Sequence, residues 1–137
     1  IDPVGGVDNV EVSGTTAADN IVVSAGAVTT VQVGATKTAN IPLATTETTS
    51  ILTDEGGDTV DVTVFDGVSP HLVVDGEFPS AKRFSDSLLV RNGSPGHVQY
   101  RNVQSHDPGN GTVFASYKTG SQTVIDYFGV EDVRLFH

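Results

Sequence analysis

The sequence predicts an all-β protein, and three observations lead to that class. Threonine, valine, glycine and aspartate are abundant, whereas the helix formers leucine, lysine and glutamate are scarce. β-branched side chains suit a pleated strand and lose rotamer freedom in a helix. Valine alternates with polar residues over 58–64, and glycine-containing turn pairs recur along the whole chain. The 137 residues suffice for one buried core, so we assign residues 1–137 to a single all-β module.

Apolar runs and period-two alternation predict ten strands, each bounded by a turn signal. In chain order these strands cover residues 7–12, 20–24, 28–33, 58–64, 71–74, 87–90, 97–103, 112–117, 123–127 and 131–136. The clearest pattern is the fourth. There we expect Val60, Val62 and Val64 to face the core and the residues between them to face solvent.

A short unit of the sequence occurs twice. Residues 18–23, Ala-Asp-Asn-Ile-Val-Val, are matched by residues 85–90, Ser-Asp-Ser-Leu-Leu-Val. Each copy is followed by a segment built around a glutamate, at 46–53 and at 130–137. A degenerate repeat of strand-sized units favours a right-handed parallel β-solenoid. The Asn-Gly and Asp-Gly pairs are typical of hairpin turns and favour the alternative, an antiparallel β-sandwich.

The chain is strongly acidic, with a formal net charge of −10 and a sequence pI of about 4.4. Such a chain is repelled by nucleic acids and by anionic membranes, so neither is an expected partner. Most acids lie in residues 1–77, where they serve solubility or meet cations, either calcium or the basic end of a neighbouring module. No apolar run approaches the roughly 20 residues of a membrane-spanning helix, so we expect no membrane insertion.

Three segments resemble a known group of proteins. They are the unit at 18–23, Gly-Gly-Asp-Thr-Val-Asp-Val at 56–62, and Thr-Val-Ile-Asp-Tyr-Phe-Gly-Val-Glu-Asp-Val at 123–133. Together they resemble the degenerate repeats of very large surface proteins of planctomycetes and other environmental bacteria. Those proteins are adhesin-like and distantly similar to hemolysin-type calcium-binding repeat proteins. The resemblance implies a structural or adhesive module of a secreted or cell-surface bacterial protein.

The same resemblance implies an extracellular or cell-surface location. The last predicted strand, 131–136, ends the sequence without a following turn. We therefore expect the module to be a segment of a longer extracellular protein. We also expect it to make edge contacts with neighbouring modules or with copies of itself, as in a fibre or array.

Calcium is the one cofactor that the sequence suggests. Asp54, Glu55 and Asp58 lie in one glycine-rich turn, and Asp61 follows on the strand. Calcium is bound by several carboxylate and carbonyl oxygens, which such a turn supplies. The alternative is that these aspartates form Asx turns with their own backbone. Residues 55–58 are a single partial copy of the calcium-binding repeat, without the tandem stack that builds its ion cage.

No pattern in the sequence predicts an enzyme. A Gly-x-Ser-x-Gly elbow is absent, and the neighbouring His106 and Asp107 do not by their sequence position make a triad. The alternative function is a carbohydrate-binding module that recognises glycans. Its candidate ligand-binding residues are Tyr100, Tyr117 and His106, the last in the proline- and glycine-rich stretch 93–110.

Overall fold

The computed structural model describes residues 9–13, 20–26, 28–34, 37–42, 48–53, 57–76, 86–106 and 109–137. These residues form strands and no helix, so the predicted all-β class is confirmed, and none of them belongs to a helix that could cross a membrane. The twelve strands are β1 (Asn9–Ser13), β2 (Asn20–Ala25), β3 (Val28–Val33), β4 (Lys37–Pro42), β5 (Thr48–Leu52), β6 (Thr59–Val64), β7 (His71–Asp75), β8 (Ser87–Asn92), β9 (Val98–Gln104), β10 (Gly111–Tyr117), β11 (Gln122–Phe128) and β12 (Asp132–Phe136).

The strands form two six-stranded sheets. The first sheet has the order β1-β5-β7-β11-β10-β9, and the second has the order β12-β8-β6-β2-β3-β4. β1, β5, β7 and β11 are parallel neighbours, as are β12, β8, β6 and β2. β9, β10 and β11 form an antiparallel meander, and so do β2, β3 and β4. Both sheets are therefore mixed, and the chain passes from the first to the second after β1, β5, β7 and β11.

Alternating burial gives each sheet an inner and an outer face. In β6, Val60, Val62 and Val64 are buried while the residues between them are partly exposed, so the prediction for this strand is confirmed. Inner-face residues of both sheets, such as Leu88 and Ile125, belong to one hydrophobic cluster. The two sheets therefore share one core, in which each fully buried valine contributes about 1.5–3 kcal/mol to stability.

β4 and β5 lie where the sequence predicted no strand. In β5 one of the two inward positions is Thr49, which is buried beside Ile51, so the apolar alternation is incomplete. β4 contains lysine, asparagine and proline, which are depleted in strands. β4 pairs with β3, and β5 pairs with β7. The local sequence pattern does not indicate these pairings, so neither strand could be predicted from it.

The equivalence predicted for the two glutamate segments is wrong. Residues 48–52 form β5 in the first sheet, whereas residues 132–136 form β12 in the second. Within the shorter unit, by contrast, Asn20 and Ser87 both pair with Thr59. The first residues of β2, β6 and β8 therefore lie side by side in the second sheet, so β6 occupies a position equivalent to the two copies of the unit.

Turns at the ends of β6, β8 and β10 are joined through Asp66. Its carboxylate accepts hydrogen bonds from the hydroxyl groups of Thr119 and Ser121, the latter at 2.9 Å, and its backbone N–H donates to Ser94 Oγ at 2.9 Å. The hydrogen bonds from Thr119 and Ser121 hold the pKa of Asp66 below its ordinary value. Asp66 thus joins three turns, one through its backbone N–H and one through its carboxylate in addition to its own.

Substitutions on the two faces of β6 test the placement of its side chains. Val62→Asp should unfold the protein, because an ionised carboxylate would enter the core without a partner. Thr63→Asp on the outer face should change the free energy of unfolding by less than about 0.5 kcal/mol. Urea denaturation of both variants measures the difference, and equal destabilisation would contradict the assignment of the faces.

Candidate functional site

An acidic residue immediately precedes each of three neighbouring parallel strands of the second sheet. Asp58 precedes β6, Asp86 precedes β8 and Glu131 precedes β12. Because these strands pair in register from their first residues, the three acids lie side by side where the chain enters the second sheet. We call Asp58, Asp86 and Glu131 the acidic ladder.

Each step of the acidic ladder is a hydrogen bond from backbone to carboxylate. Asp86 Oδ1 accepts the Asp58 N–H at 2.8 Å, and Glu131 Oε2 accepts the Asp86 N–H at 2.8 Å. The Thr53 hydroxyl donates to Asp86 Oδ2 at 3.3 Å, so both oxygens of this carboxylate are engaged. Hydrogen bonds to a charged acceptor are stronger than neutral ones. The ladder therefore joins successive entries into the second sheet.

Gly76 makes room for the acidic ladder. A Cβ at this position would stand 2.6 Å from Asp86 Oδ2 and 2.5 Å from the carbonyl oxygen of Gly129. Its N–H donates to the Phe128 carbonyl at 2.6 Å, which holds the end of β7 against the end of β11. Glycine is required here by close approach, since this residue does not have a positive φ.

Burial makes Asp86 a weaker acid. The residue is only 2% exposed. Desolvation raises the pKa of Asp86 to about 6, the charges of Asp58 and Glu131 also raise it, and the hydrogen bond from the Asp58 N–H lowers it. The ladder can therefore take up a proton at a pH well above that at which an ordinary aspartate is protonated.

The structure does not bring the two described calcium candidates together. Asp58 is buried in the ladder, whereas Asp61 lies on the outer face of β6, where Arg91 Nε donates to both carboxylate oxygens at 2.9 and 3.1 Å. Asp54 and Glu55 lie outside the described residues. Within the part of the chain that is described, no group of three or more histidine, cysteine, aspartate or glutamate side chains is placed to hold a metal ion. Calcium binding stays a prediction.

Tyr117 is part of the core. It is 5% exposed, and its hydroxyl donates to Asn92 Oδ1 at 2.7 Å and lies 3.2 Å from the Val64 carbonyl oxygen. Its ring packs between the two sheets and is not accessible for stacking against a sugar.

Tyr100 and His106 lie at or near β9. The Tyr100 ring is half-buried, and its hydroxyl donates to the Phe136 carbonyl at 2.7 Å, across to the edge of the second sheet. Desolvation raises the pKa of Tyr100 to about 12. His106 is exposed in the loop after β9. Ligand binding by these two residues stays a prediction.

A groove of about 390 Å³ opens on the outer face of the first sheet, over β9, β10 and β11. Val103, Thr112 and Asp126 lie in one row across these strands because their Cα atoms are paired. We call this feature the outer groove. The lining residues that matter chemically are Val103, Gln104, Asn110, Thr112, Asp126 and Phe128.

Asp126 is held between two neighbouring side chains. The Thr112 hydroxyl donates to Asp126 Oδ1 at 2.6 Å, and His71 Nε2 on β7 lies 2.7 Å from Asp126 Oδ2. In a catalytic triad the histidine stands between the hydroxyl and the carboxylate. Here the carboxylate stands in the middle, so His71 is not placed to take a proton from Thr112. The arrangement orients a carboxylate and does not activate a nucleophile.

The outer groove was not predicted from the sequence. Its walls are Val103 and Phe128, which are 48% and 46% exposed. The signal was present in the alternation of β11. Since Ile125 and Tyr127 face inward, Asp126 and Phe128 must face outward together.

Comparisons of the chain with protein-family models, with curated proteins and with solved structures found no match. The chemistry and placement of the side chains are therefore what indicate a role for the acidic ladder and the outer groove.

Replacing Asp86 with asparagine should remove a pH dependence of stability. The pKa of Asp86 is about 6 in the folded protein against 3.8 for an ordinary aspartate, so the folded state binds the proton more tightly. This stabilisation is complete below about pH 4 and is lost as the pH rises through about 6. Asp86→Asn keeps an acceptor for the Asp58 N–H without the charge. Its melting temperature should exceed that of the wild type by a few degrees near pH 7 and match it near pH 4.

Thermal melts across this pH range measure the difference. Asp61→Asn is the matched control, because it removes a carboxylate from the outer face of β6 and should leave the dependence assigned to Asp86 in place. If the melting temperatures of the wild type and Asp86→Asn changed with pH in the same way, the titration assigned to Asp86 would be contradicted.

Proposed function

We propose that the protein is a structural or adhesive module of a secreted or cell-surface bacterial protein, built as a short parallel β-solenoid. The observation that supports this best is the order in which the strands occupy the two sheets. The pairs β1–β2, β5–β6, β7–β8 and β11–β12 each pass from the first sheet to the second, and successive pairs are parallel neighbours in both sheets. In a solenoid each such pair is one turn, so the described strands make four stacked turns.

The antiparallel strands extend this stack at opposite ends. β3 and β4 continue the second sheet beyond the first turn, whereas β10 and β9 continue the first sheet beyond the last turn. Terminal units of repeat proteins are atypical because they have a neighbour on one side only. The meanders are the corresponding end structures of this stack.

Acidic side chains of the ladder bind backbone groups of the protein itself, which supports a structural role. Asp58 and Asp86 are buried, and the ladder binds the backbone of one turn to the carboxylate of the next. These groups hold the stack together. The resemblance to repeats of large bacterial surface proteins supports an extracellular or cell-surface location, and the net charge of −10 disfavours nucleic acid as a partner.

β9 is the edge at which neighbouring modules or further copies of the chain would meet. It is one of the two edge strands of the first sheet, and most of its side chains are exposed. An edge strand offers backbone donors and acceptors to another chain, and Arg101 is the one charged residue in its sequence. At the β12 edge of the second sheet, by contrast, the Phe136 carbonyl already accepts the Tyr100 hydroxyl.

Self-association of the purified chain tests this function. We expect sedimentation velocity over a wide concentration range to detect reversible association, and beads coated with the chain to aggregate or to adhere to bacterial envelopes. Gln99→Lys should weaken the association about tenfold, because it adds positive charge beside Arg101 to each of two paired β9 edges. Val22→Lys adds the same charge on β2, a central strand, and should have no effect.

A chain that remains monomeric at every concentration, on beads that neither aggregate nor adhere, would overturn the structural or adhesive function. Equal weakening by Gln99→Lys and Val22→Lys would overturn the assignment of contact to β9.

A carbohydrate-binding module is the second candidate function. The outer groove favours it, since exposed apolar side chains and hydrogen-bonding groups stand together there. None of Tyr100, Tyr117 and His106 lines this groove.

A further inference from the structure

The outer groove lies on paired strands that pack against the core. Its floor is the outer face of β10 and β11, two neighbouring strands whose inner faces are in the core. Its volume of about 390 Å³ falls within the range of small-ligand sites. A site on paired strands loses little conformational freedom when a ligand binds.

The Asp126 carboxylate is oriented before any ligand arrives. Thr112 donates to one of its oxygens and His71 lies against the other, at 2.6 and 2.7 Å. Each carboxylate oxygen has two lone-pair sites, so each retains capacity to accept one more hydrogen bond. Two adjacent hydroxyl groups of a ligand match such a pair of acceptors.

An amide side chain stands at the rim of the groove. The Gly129 N–H donates to Asn110 Oδ1 at 2.9 Å, which orients the side chain of this groove-lining residue. Amides both donate and accept hydrogen bonds, as ligand hydroxyl groups do. The rim and the carboxylate therefore suit a ligand with many hydroxyl groups.

The two apolar walls set the shape of the ligand. Val103 on β9 lies in the row of Asp126, and Phe128 lies two residues beyond Asp126 on β11. Two strand spacings across the sheet and two residues along it separate the walls by about 12 Å. Both are exposed although burying apolar surface is favourable. An aromatic ring packs well against the C–H face of a sugar ring, whose edges carry the hydroxyl groups. The width and the chemistry fit one or two sugar units.

Charge selects against ionic ligands. Asp126 and the net charge of −10 repel an anion. A hydrated cation would gain nothing from the valine and phenylalanine walls, and among the described residues no cluster of three acidic or histidine ligands accompanies Asp126. A neutral ligand meets neither penalty.

We infer that the outer groove is a binding site for a neutral saccharide. Asp126 accepts hydrogen bonds from adjacent sugar hydroxyl groups, Thr112 and His71 hold its carboxylate, and Phe128 packs against the sugar ring. This inference rests on the adhesive function proposed above and gives it a ligand class.

An array of neutral oligosaccharides built from hexose, pentose and N-acetylhexosamine units, printed beside sialylated, uronic-acid and sulfated ones, tests the inference. The wild type should bind neutral members. Titration calorimetry with the strongest neutral binder should then show that Phe128→Ala and Asp126→Asn each weaken binding about tenfold. Both residues lie on an outer face, so unchanged midpoints of urea denaturation should show that the variants fold.

Phe136→Ala is the matched control, because it removes an aromatic ring of 40% exposure that lies on the second sheet, outside the groove. Its affinity should equal that of the wild type. The site is overturned if no neutral oligosaccharide binds, if only anionic ones bind, or if Phe136→Ala weakens binding as much as Phe128→Ala.

The two proposals fail separately. Self-association without saccharide binding would overturn the groove assignment and leave the structural function standing. Saccharide binding that needs Phe128, in a chain that neither associates nor adheres, would overturn the structural function and leave a carbohydrate-binding module.

Discussion

The fold depends on the hydrogen bonds of the acidic ladder. In each of them, the backbone N–H of the acid before one strand of the second sheet donates to the carboxylate of the acid before the neighbouring strand. Asp86 accepts from Asp58, and Glu131 accepts from Asp86. Buried carboxylates are costly unless such donors meet them, and a slip of one residue in a strand moves every inward side chain outward. The acidic ladder therefore fixes the register of β6, β8 and β12 at their first residues, and with it the inward row of valines and leucines.

The register of the second sheet is linked to the register of the first sheet, which in turn positions the side chains on the outer face of the first sheet. Gly76 fits against Asp86 and donates its N–H to the Phe128 carbonyl, which aligns the ends of β7 and β11. The pairing of those strands then places His71 beside Asp126. The antiparallel meander of β9, β10 and β11 places Val103 and Thr112 in the same row as Asp126. The groove and the core thus depend on one set of strand registers.

The sequence predicted what depends on local alternation, namely the all-β class, ten of the strands and the inward valines of β6. It did not predict what depends on pairing between distant segments. The pair Asp75-Gly76 has the composition of a hairpin turn, yet Gly76 is required by close approach to Asp86, a residue on the other sheet's entry. Phe128 was not assigned to a face, because the strand predicted from the sequence ended at residue 127. Its outward position follows only once the inward set of β11 is known.

The central claim is that the chain returns to each sheet in parallel register. Because the sequence has no cysteine, paired cysteines test it directly. Ser24 on β2 and Thr63 on β6 are register partners on the outer face, at a separation that a disulfide spans. Mild oxidation of the folded Ser24→Cys, Thr63→Cys variant should give an intramolecular disulfide, detected by mass spectrometry. The Ser24→Cys, Thr59→Cys control, displaced by about 13 Å along β6, should not form one. A disulfide in the control alone, or in neither variant, would contradict the parallel register.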